Sequence, residues 1–491
     1  MNRPDLPPLL AAVALLLLSA LAACSVPLAP GYRILSESRE IHFVSGGVPS
    51  LEIRAHYVLG NSGTQPLASL DVVFPLEKPY GLGNVRAQVN DRDTALAPLP
   101  AEFRQDRPDA LRMALDPPWT QRSKLDLAIS YSFVSPGEGG ERITLSRDDF
   151  HLGSRGWFAL PQPPAHVLSP YPKRPDRTSY TIRVPDDFLV LARGTLRSRK
   201  KIGNESEYHF ELRKDDLTPF VVAGRYVETA PNGKDGVIFW TRHSLADPAA
   251  AAGAANKIAS DWSTLSSAFG PLDKTIREPH IVESSSVRED SFGETGAAAA
   301  AFPGGALVSP AGVASGIDSG VFLDAVSSAL ARNWFGGQMY FAPDAAIGMG
   351  EGLPSYATIV MEEAGTGATA RQHRVVGFMR AYDDALKQGP ETPLGIVSAA
   401  DPPAQRRIAY AKAPLMYAAL EDAYGEAAVR AALARMVLLF RGQEVSYAEL
   451  RAVIEERTGK DLAVFFRTWL YGKGLPPNFR ARYAASDETQ R

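Results

Sequence analysis

The 491-residue chain has one cysteine, so it forms no internal disulfide and cannot build a site from several thiolates. Its eight histidines are His42, His56, His151, His166, His209, His243, His280 and His373. No two of them lie three or four apart, so no helix presents a histidine pair on one face. Neither sign of charge dominates: 52 Lys and Arg face 55 Asp and Glu, and a net charge of −3 gives no basic field for nucleic acid. Gly and Pro number 41 and 38, too few for a collagen-like or mainly disordered chain. No repeat recurs at a fixed period. What remains is an ordinary globular composition, 45% hydrophobic and 22% charged, with length for two large domains or about three smaller ones.

Residues 9–23, LLAAVALLLLSALAA, form an apolar run that is short of the roughly 20 residues of a spanning helix. It suits the hydrophobic region of a signal peptide, although Arg3 before it is offset by Asp5. The run ends in Leu21-Ala22-Ala23-Cys24, which resembles the lipobox of bacterial lipoproteins. That resemblance implies removal of residues 1–23, lipidation of Cys24 and a membrane partner held through the lipid. Ser25, not Asp, follows the cysteine, so the expected place is the outer membrane of a bacterial envelope, facing the periplasm. Residues 24–38 read as the lipidated tether.

Residues 39–232 read as β. Leu51, Ile53, Ala55, Tyr57 and Leu59 alternate with Glu52, Arg54, His56 and Val58, and Leu125 to Phe133 alternate likewise. Further strands are expected over 180–184, 188–192, 208–212 and 220–223. Residues 233–478 change texture, with Ala-, Leu- and Arg-rich helical segments over 247–269, 320–335, 350–364, 369–388, 408–424, 426–441, 446–458 and 461–471. The fold class is therefore a multidomain α+β chain: an N-terminal all-β saddle or sandwich, then a helix-rich domain. Residues 479–491 read as a tail.

The informative segment runs from Asp324 to Trp334-Phe335-Gly336. It resembles the zinc helix of the membrane alanyl aminopeptidase family of gluzincin metallopeptidases, which reads HExxH followed by Trp-Phe-Gly. In that register the two histidine positions fall on Ser328 and Arg332, and the catalytic glutamate position falls on Ala329. Nineteen residues past Arg332, where the family has its third ligand, stands Glu351 in Gly350-Glu351-Gly352-Leu353-Pro354-Ser355-Tyr356. Tyr410-Ala411-Lys412 resembles the segment whose Tyr stabilises the family's tetrahedral intermediate, and Phe465 to Pro476 resembles the close of its catalytic domain. Phe302-Pro303-Gly304-Gly305 resembles the stretch just after the exopeptidase motif, which puts Ala301, or in a second register Ala299, where the amine-binding glutamate belongs. The resemblance implies a thermolysin-like second domain.

The departures carry chemical weight. Zinc peptidase chemistry needs a metal held by lone pairs and a carboxylate base for the metal-bound water. A guanidinium has five donors and no acceptor, so Arg332 cannot ligate. The expectation is a pseudopeptidase with no cofactor, in which Arg332 pairs with Glu351 in place of the metal and Tyr410 lines an idle cleft. Glu351, Arg332 and Tyr410 would line a cleft for a peptide or protein partner. The competing expectation is an active aminopeptidase with zinc on unorthodox ligands; a third is a metal-independent hydrolase using Glu351 with Tyr410 and an acidic partner from 283–294. Whether the chain is an enzyme stays open at this point. Trp334 and Phe335 are expected in the core, the basic run Arg197 to Lys201 in a solvated hairpin, and the acidic stretch Glu283, Glu289, Asp290 and Glu294 in an exposed loop.

Overall fold

The computed structural model describes residues 32–488, apart from 64–65, 75–80, 100–109, 135–142, 154–156, 163–176, 214–219, 234–235, 273–278, 286, 288–298 and 399. The leader, Cys24 and the tether up to residue 31 lie outside the described residues.

The alternating segments form the centre of an eight-stranded sheet. Its order is Thr195–Ile202, Glu205–Arg213, Arg177–Pro185, Tyr32–Val44, Ser50–Asn61, Lys124–Val134, Gly83–Val89, Arg92–Thr94. All neighbours are antiparallel except Tyr32–Val44 on Arg177–Pro185. The odd-numbered residues of Ser50–Asn61 and of Lys124–Val134 up to Phe133 point inward, as period-2 alternation requires. Two four-stranded sheets complete this half, whose core includes Tyr57, Phe133, Trp157 and Tyr180.

The sheet begins earlier than expected. Residues 32–38 are strand, not tether, because a bulge between Ile34 and Ser36 breaks the alternation. Tyr32 and Ile34 are buried on one parity, Ile41 and Phe43 on the other. Between them the inward positions carry charge: Arg39 pairs with Glu37 and lies 4.4 Å from the Phe158 ring centroid and 5.3 Å from that of Trp157. The basic run 197–201 lies on the edge strand Thr195–Ile202, hairpin-paired with Glu205–Arg213, and Arg197 bonds Glu211 at 2.7 Å.

The second half opens with a five-stranded sheet: Val227–Thr229, Ile238–Thr241, His280–Glu283, Gly305–Val308, Ala299–Phe302. Val227–Thr229 already belongs to it, so the switch between halves falls at 225–226 and not at 232. Helices then follow over Pro248–Phe269, Gly320–Ala331, Gly352–Thr366, Ala368–Leu386, Pro403–Tyr424, Glu426–Leu439, Tyr447–Thr458 and Ala463–Tyr471. Phe220 and Val222 of the β half pack with Trp240, Val282, Phe302 and Leu307, which joins the halves through an apolar seam. At the same junction Arg242 lies 3.2 Å from the buried Asp149.

The expected tail is a helix over Pro477–Glu488. Phe479 and Tyr483, spaced i and i+4, are both buried, with Phe479 edge-on to Trp469 at 5.3 Å between centroids. The tail assignment missed this spacing because the segment is otherwise polar. Phe479→Ala should therefore cost about 3 kcal/mol in a denaturant titration; an unchanged midpoint would mean the segment does not pack.

His151 lies buried on Asp149–Leu152 with Nδ1 unpartnered, and burial pulls it down to about 4 from 6.5. The native state thus refuses a proton that the unfolded chain accepts. Its contribution is complete above about pH 6.5 and shrinks as the pH falls towards 4, by about 2 kcal/mol at pH 5. Equilibrium denaturation at pH 7 and pH 5 should show a smaller difference in His151→Leu than in the parent; an equal difference would contradict the assignment.

Candidate functional site

The helix Gly320–Ala331 starts where the Ser319 hydroxyl accepts from Phe322 N at 3.3 Å. Phe322, Val326, Ala329 and Leu330 turn into the core. The three residues after Arg332 fix its exit. Asn333, 2% exposed, accepts from Gly304 N at 2.7 Å and donates to the carbonyls of Gly305 and Leu330, each at 3.1 Å. Trp334 donates from its indole to Gly270 O at 2.7 Å and meets Trp262 edge-on at 5.0 Å. Phe335 meets Phe269 edge-on at 4.9 Å. The expected core role of Trp334 and Phe335 is what the structure has.

Glu351 is brought in by a turn that only glycines fit. A Cβ on Gly350 would meet Ala346 O at 2.2 Å, and one on Gly352 would meet Ala413 Cβ at 2.5 Å. Gly352 therefore lets the start of helix Gly352–Thr366 press against helix Pro403–Tyr424, where Tyr410 sits.

Arg332 and Glu351 meet here. Arg332 NH2 donates to Glu351 Oε2 at 2.5 Å, and NH1 donates to Gly350 O at 3.4 Å. The side chains are 21% and 31% exposed, so the pair is screened in part and less strained by desolvation than a fully buried one. Each charge also suits its helix end. Arg332 caps the C-terminus of Gly320–Ala331, and Glu351 occupies the N-cap of Gly352–Thr366.

Ser328 stands one helical turn before Arg332 and is half-buried; Ala329 is 1% exposed in the helical core. Ala299 and Ala301 share one face of the edge strand Ala299–Phe302, and Ala299 packs on the helical core. Ala300 and Phe302 face the seam with the β half. Both registers of the exopeptidase resemblance thus put a methyl group on the helix side.

Tyr410 is half-buried. Burial, then the Glu351 carboxylate, holds its phenol above the ordinary value, while Arg406 and Arg332 pull the other way. The phenol is a protonated donor at neutral pH. Arg406, one turn earlier on the same helix, was missed in the sequence; its i, i+4 spacing to Tyr410 was the available signal. Lys412 is buried. It donates to Glu391 Oε1 at 2.6 Å and to Gly472 O at 2.7 Å, and Gly474 N donates to Glu391 Oε2 at 2.6 Å. It anchors the Phe465–Pro476 segment.

Glu283 is not in an exposed loop: it is 6% exposed and accepts from Arg242 N at 2.8 Å. An inward strand position reads as an acidic run only because the segment continues into Glu289, Asp290 and Glu294, which lie outside the described residues. A groove of about 450 Å³ opens elsewhere, between Phe465, Trp469, Phe479, Asp422 and Arg482.

The donors at the cleft do not fit zinc. One carboxylate is already engaged by a guanidinium, the residue that offers the guanidinium has no lone pair, and the neighbouring position offers a single hydroxyl. Among the described residues, no three His, Cys, Asp or Glu side chains are gathered as a metal requires.

The architecture is shared with solved metallopeptidases. A crystal structure of an M1 zinc metallopeptidase from Deinococcus radiodurans matches with a TM-score of 0.63 and 19% identity, covering 91% of this chain and 95% of that one. A glutamate-to-alanine variant from the same organism, bound to a Tyr-Ser-Ala substrate, matches at 0.62 and 19%, covering 91% and 96%. A two-domain M1 zinc metallopeptidase variant bound to L-arginine matches at 0.63 and 19%, with the same coverage. No protein-family profile matches the chain, and no curated protein does. The chain has the two-domain M1 metallopeptidase fold, β-rich first and helical second, as the resemblance implied.

The close approach at Gly352 makes a signed prediction. Gly352→Ala should destabilise by about 1–3 kcal/mol through overpacking. Gly253→Ala, in the helix Pro248–Phe269 with nothing within 4 Å of the added methyl, should stabilise by about 0.5–1 kcal/mol. Denaturant midpoints moving in the same direction would contradict the packing described.

Proposed function

We propose that this chain is a lipid-anchored envelope protein that uses the M1 fold to hold a peptide or protein partner, not to hydrolyse it with zinc. The observation that carries the reading is the Arg332 guanidinium on Glu351 at 2.5 Å. It supplies a fixed positive charge beside the carboxylate from the chain itself. Ala329 and Ser328 add no acceptor basic enough to activate water. The anchoring part of the proposal rests on the apolar run 9–23 ending at Cys24. Each buried methylene of an acyl chain adds about 0.8 kcal/mol, so an anchor of several chains is effectively permanent.

An active zinc aminopeptidase is the competing reading, and metal content separates the two. The full chain, purified in detergent and dialysed against zinc, should retain far less than one zinc per chain and show no chelator-sensitive release of aminoacyl groups. Stoichiometric zinc with chelator-sensitive turnover would overturn the proposal. The triple variant Ser328→His, Ala329→Glu, Arg332→His should gain close to one zinc per chain.

A further inference from the structure

We propose that Arg242 is a latch between the two halves of the chain: paired fully with Asp149 it locks them together, and paired fully with Glu283 it releases them to turn about residues 225–226. This goes beyond the reading of the Arg332–Glu351 pair and does not depend on it.

Neighbouring residues at the junction are fastened to different halves. Arg225 is tied to the β half: its N donates to Asp148 O at 2.8 Å, its Nε to Asp187 Oδ2 at 2.6 Å and its NH1 to Asp148 Oδ1 at 2.7 Å. Tyr226 is tied to the second half, its ring stacked on Trp240 with centroids 5.8 Å apart. The backbone bonds between these two residues are therefore where one half can turn on the other. The apolar seam that opposes such a turn is small. Among the described residues it takes Phe220 and Val222 from the β half, with Leu189 and Leu191 partly buried against it. An interface of that kind leaves relative motion as the expected behaviour.

The polar contact at the junction is divided between the halves. Arg242 follows the strand Ile238–Thr241, and its guanidinium reaches a carboxylate of each half. Asp149 Oδ2 of the β half lies 3.2 Å from NH2, and Glu283 Oε1 of the second half lies 3.9 Å from Nε. Both carboxylates are buried, and the Nε and NH2 atoms are themselves buried and hydrogen-bonded to neither. A guanidinium fork matches one carboxylate at a time. Here it is drawn to two and completes its bonds with none, which is the condition for a two-state element. The carboxylates are held by other donors: Glu283 Oε2 accepts from Arg242 N at 2.8 Å, and Asp149 Oδ1 from Ser285 Oγ at 3.3 Å. The guanidinium is the group that changes partner.

The test is hydrogen exchange of the backbone amides of residues 224–228, read by mass spectrometry on the detergent-solubilised full chain. Asp149→Asn keeps the shape and an acceptor for Ser285 but drops the charge, which hands the guanidinium to Glu283; exchange at the hinge should rise at least about tenfold. Glu283→Gln hands the guanidinium to Asp149, and exchange there should slow at least about threefold. Arg242→Gln removes the latch, so exchange should rise as in Asp149→Asn, and adding Glu283→Gln should no longer slow it. A cluster that only stabilises the junction would move Asp149→Asn and Glu283→Gln in the same direction. Changes of the same sign in these two, no change in either one, or a slowing by Glu283→Gln that survives Arg242→Gln would overturn the inference. If Asp149→Asn does not fold, Glu283→Gln measured with and without Arg242→Gln decides alone.

Discussion

A guanidinium and a carboxylate, each at a helix end whose dipole favours it, face one another across 2.5 Å. Local packing holds those two ends in place. Asn333 stitches the first helix to the turn at Gly304–Gly305, and Trp334 and Phe335 wedge it against Trp262 and Phe269. The glycines at 350 and 352 remove the side chains that would keep the second helix away. The Lys412–Glu391 pair then ties helix Pro403–Tyr424 to the segment ending at Pro476. An ion pair with partial solvent access contributes modestly to stability on its own. Its chemical consequence is local: the Glu351 carboxylate is already engaged by a guanidinium.

Packing and polar chemistry fall on different side chains of the helix Gly320–Ala331 and of the turn into Gly352–Thr366. The residues that pack here are apolar, among them Phe322, Val326, Leu330, Trp334, Phe335 and Leu353. Ser328, Arg332, Glu351 and Tyr410 are only half-buried beside that core. Fold and site are separable in this way because packing depends on shape and volume, whereas catalysis depends on lone pairs and proton affinity.

Much of this was legible in the sequence, for identifiable reasons. Strands with one buried face announced themselves by alternation, as in Ser50–Asn61. Ala- and Leu-rich helices were placed to within a few residues, although Pro403–Tyr424 begins five residues before its expected start. The Arg332–Glu351 contact followed from the resemblance to the family's zinc helix, which implies that positions 332 and 351 converge, together with the need of a carboxylate for a counter-charge. The failures have local causes. A bulge near Ser36 and an inward Glu37–Arg39 pair disguised the first strand as tether. Two inward aromatics in a polar segment hid the helix Pro477–Glu488. Arg406 was passed over although its i, i+4 spacing to Tyr410 was there to read.

The central claim is that a guanidinium of the chain takes the position a metal would need beside Glu351. Crystals of the protein grown with excess zinc and measured at the zinc absorption edge test it most directly. The account predicts no anomalous peak within ligand distance, about 2 Å, of either Glu351 carboxylate oxygen, with Arg332 still donating to Glu351. A strong peak there, with the Arg332 side chain swung aside, would contradict it.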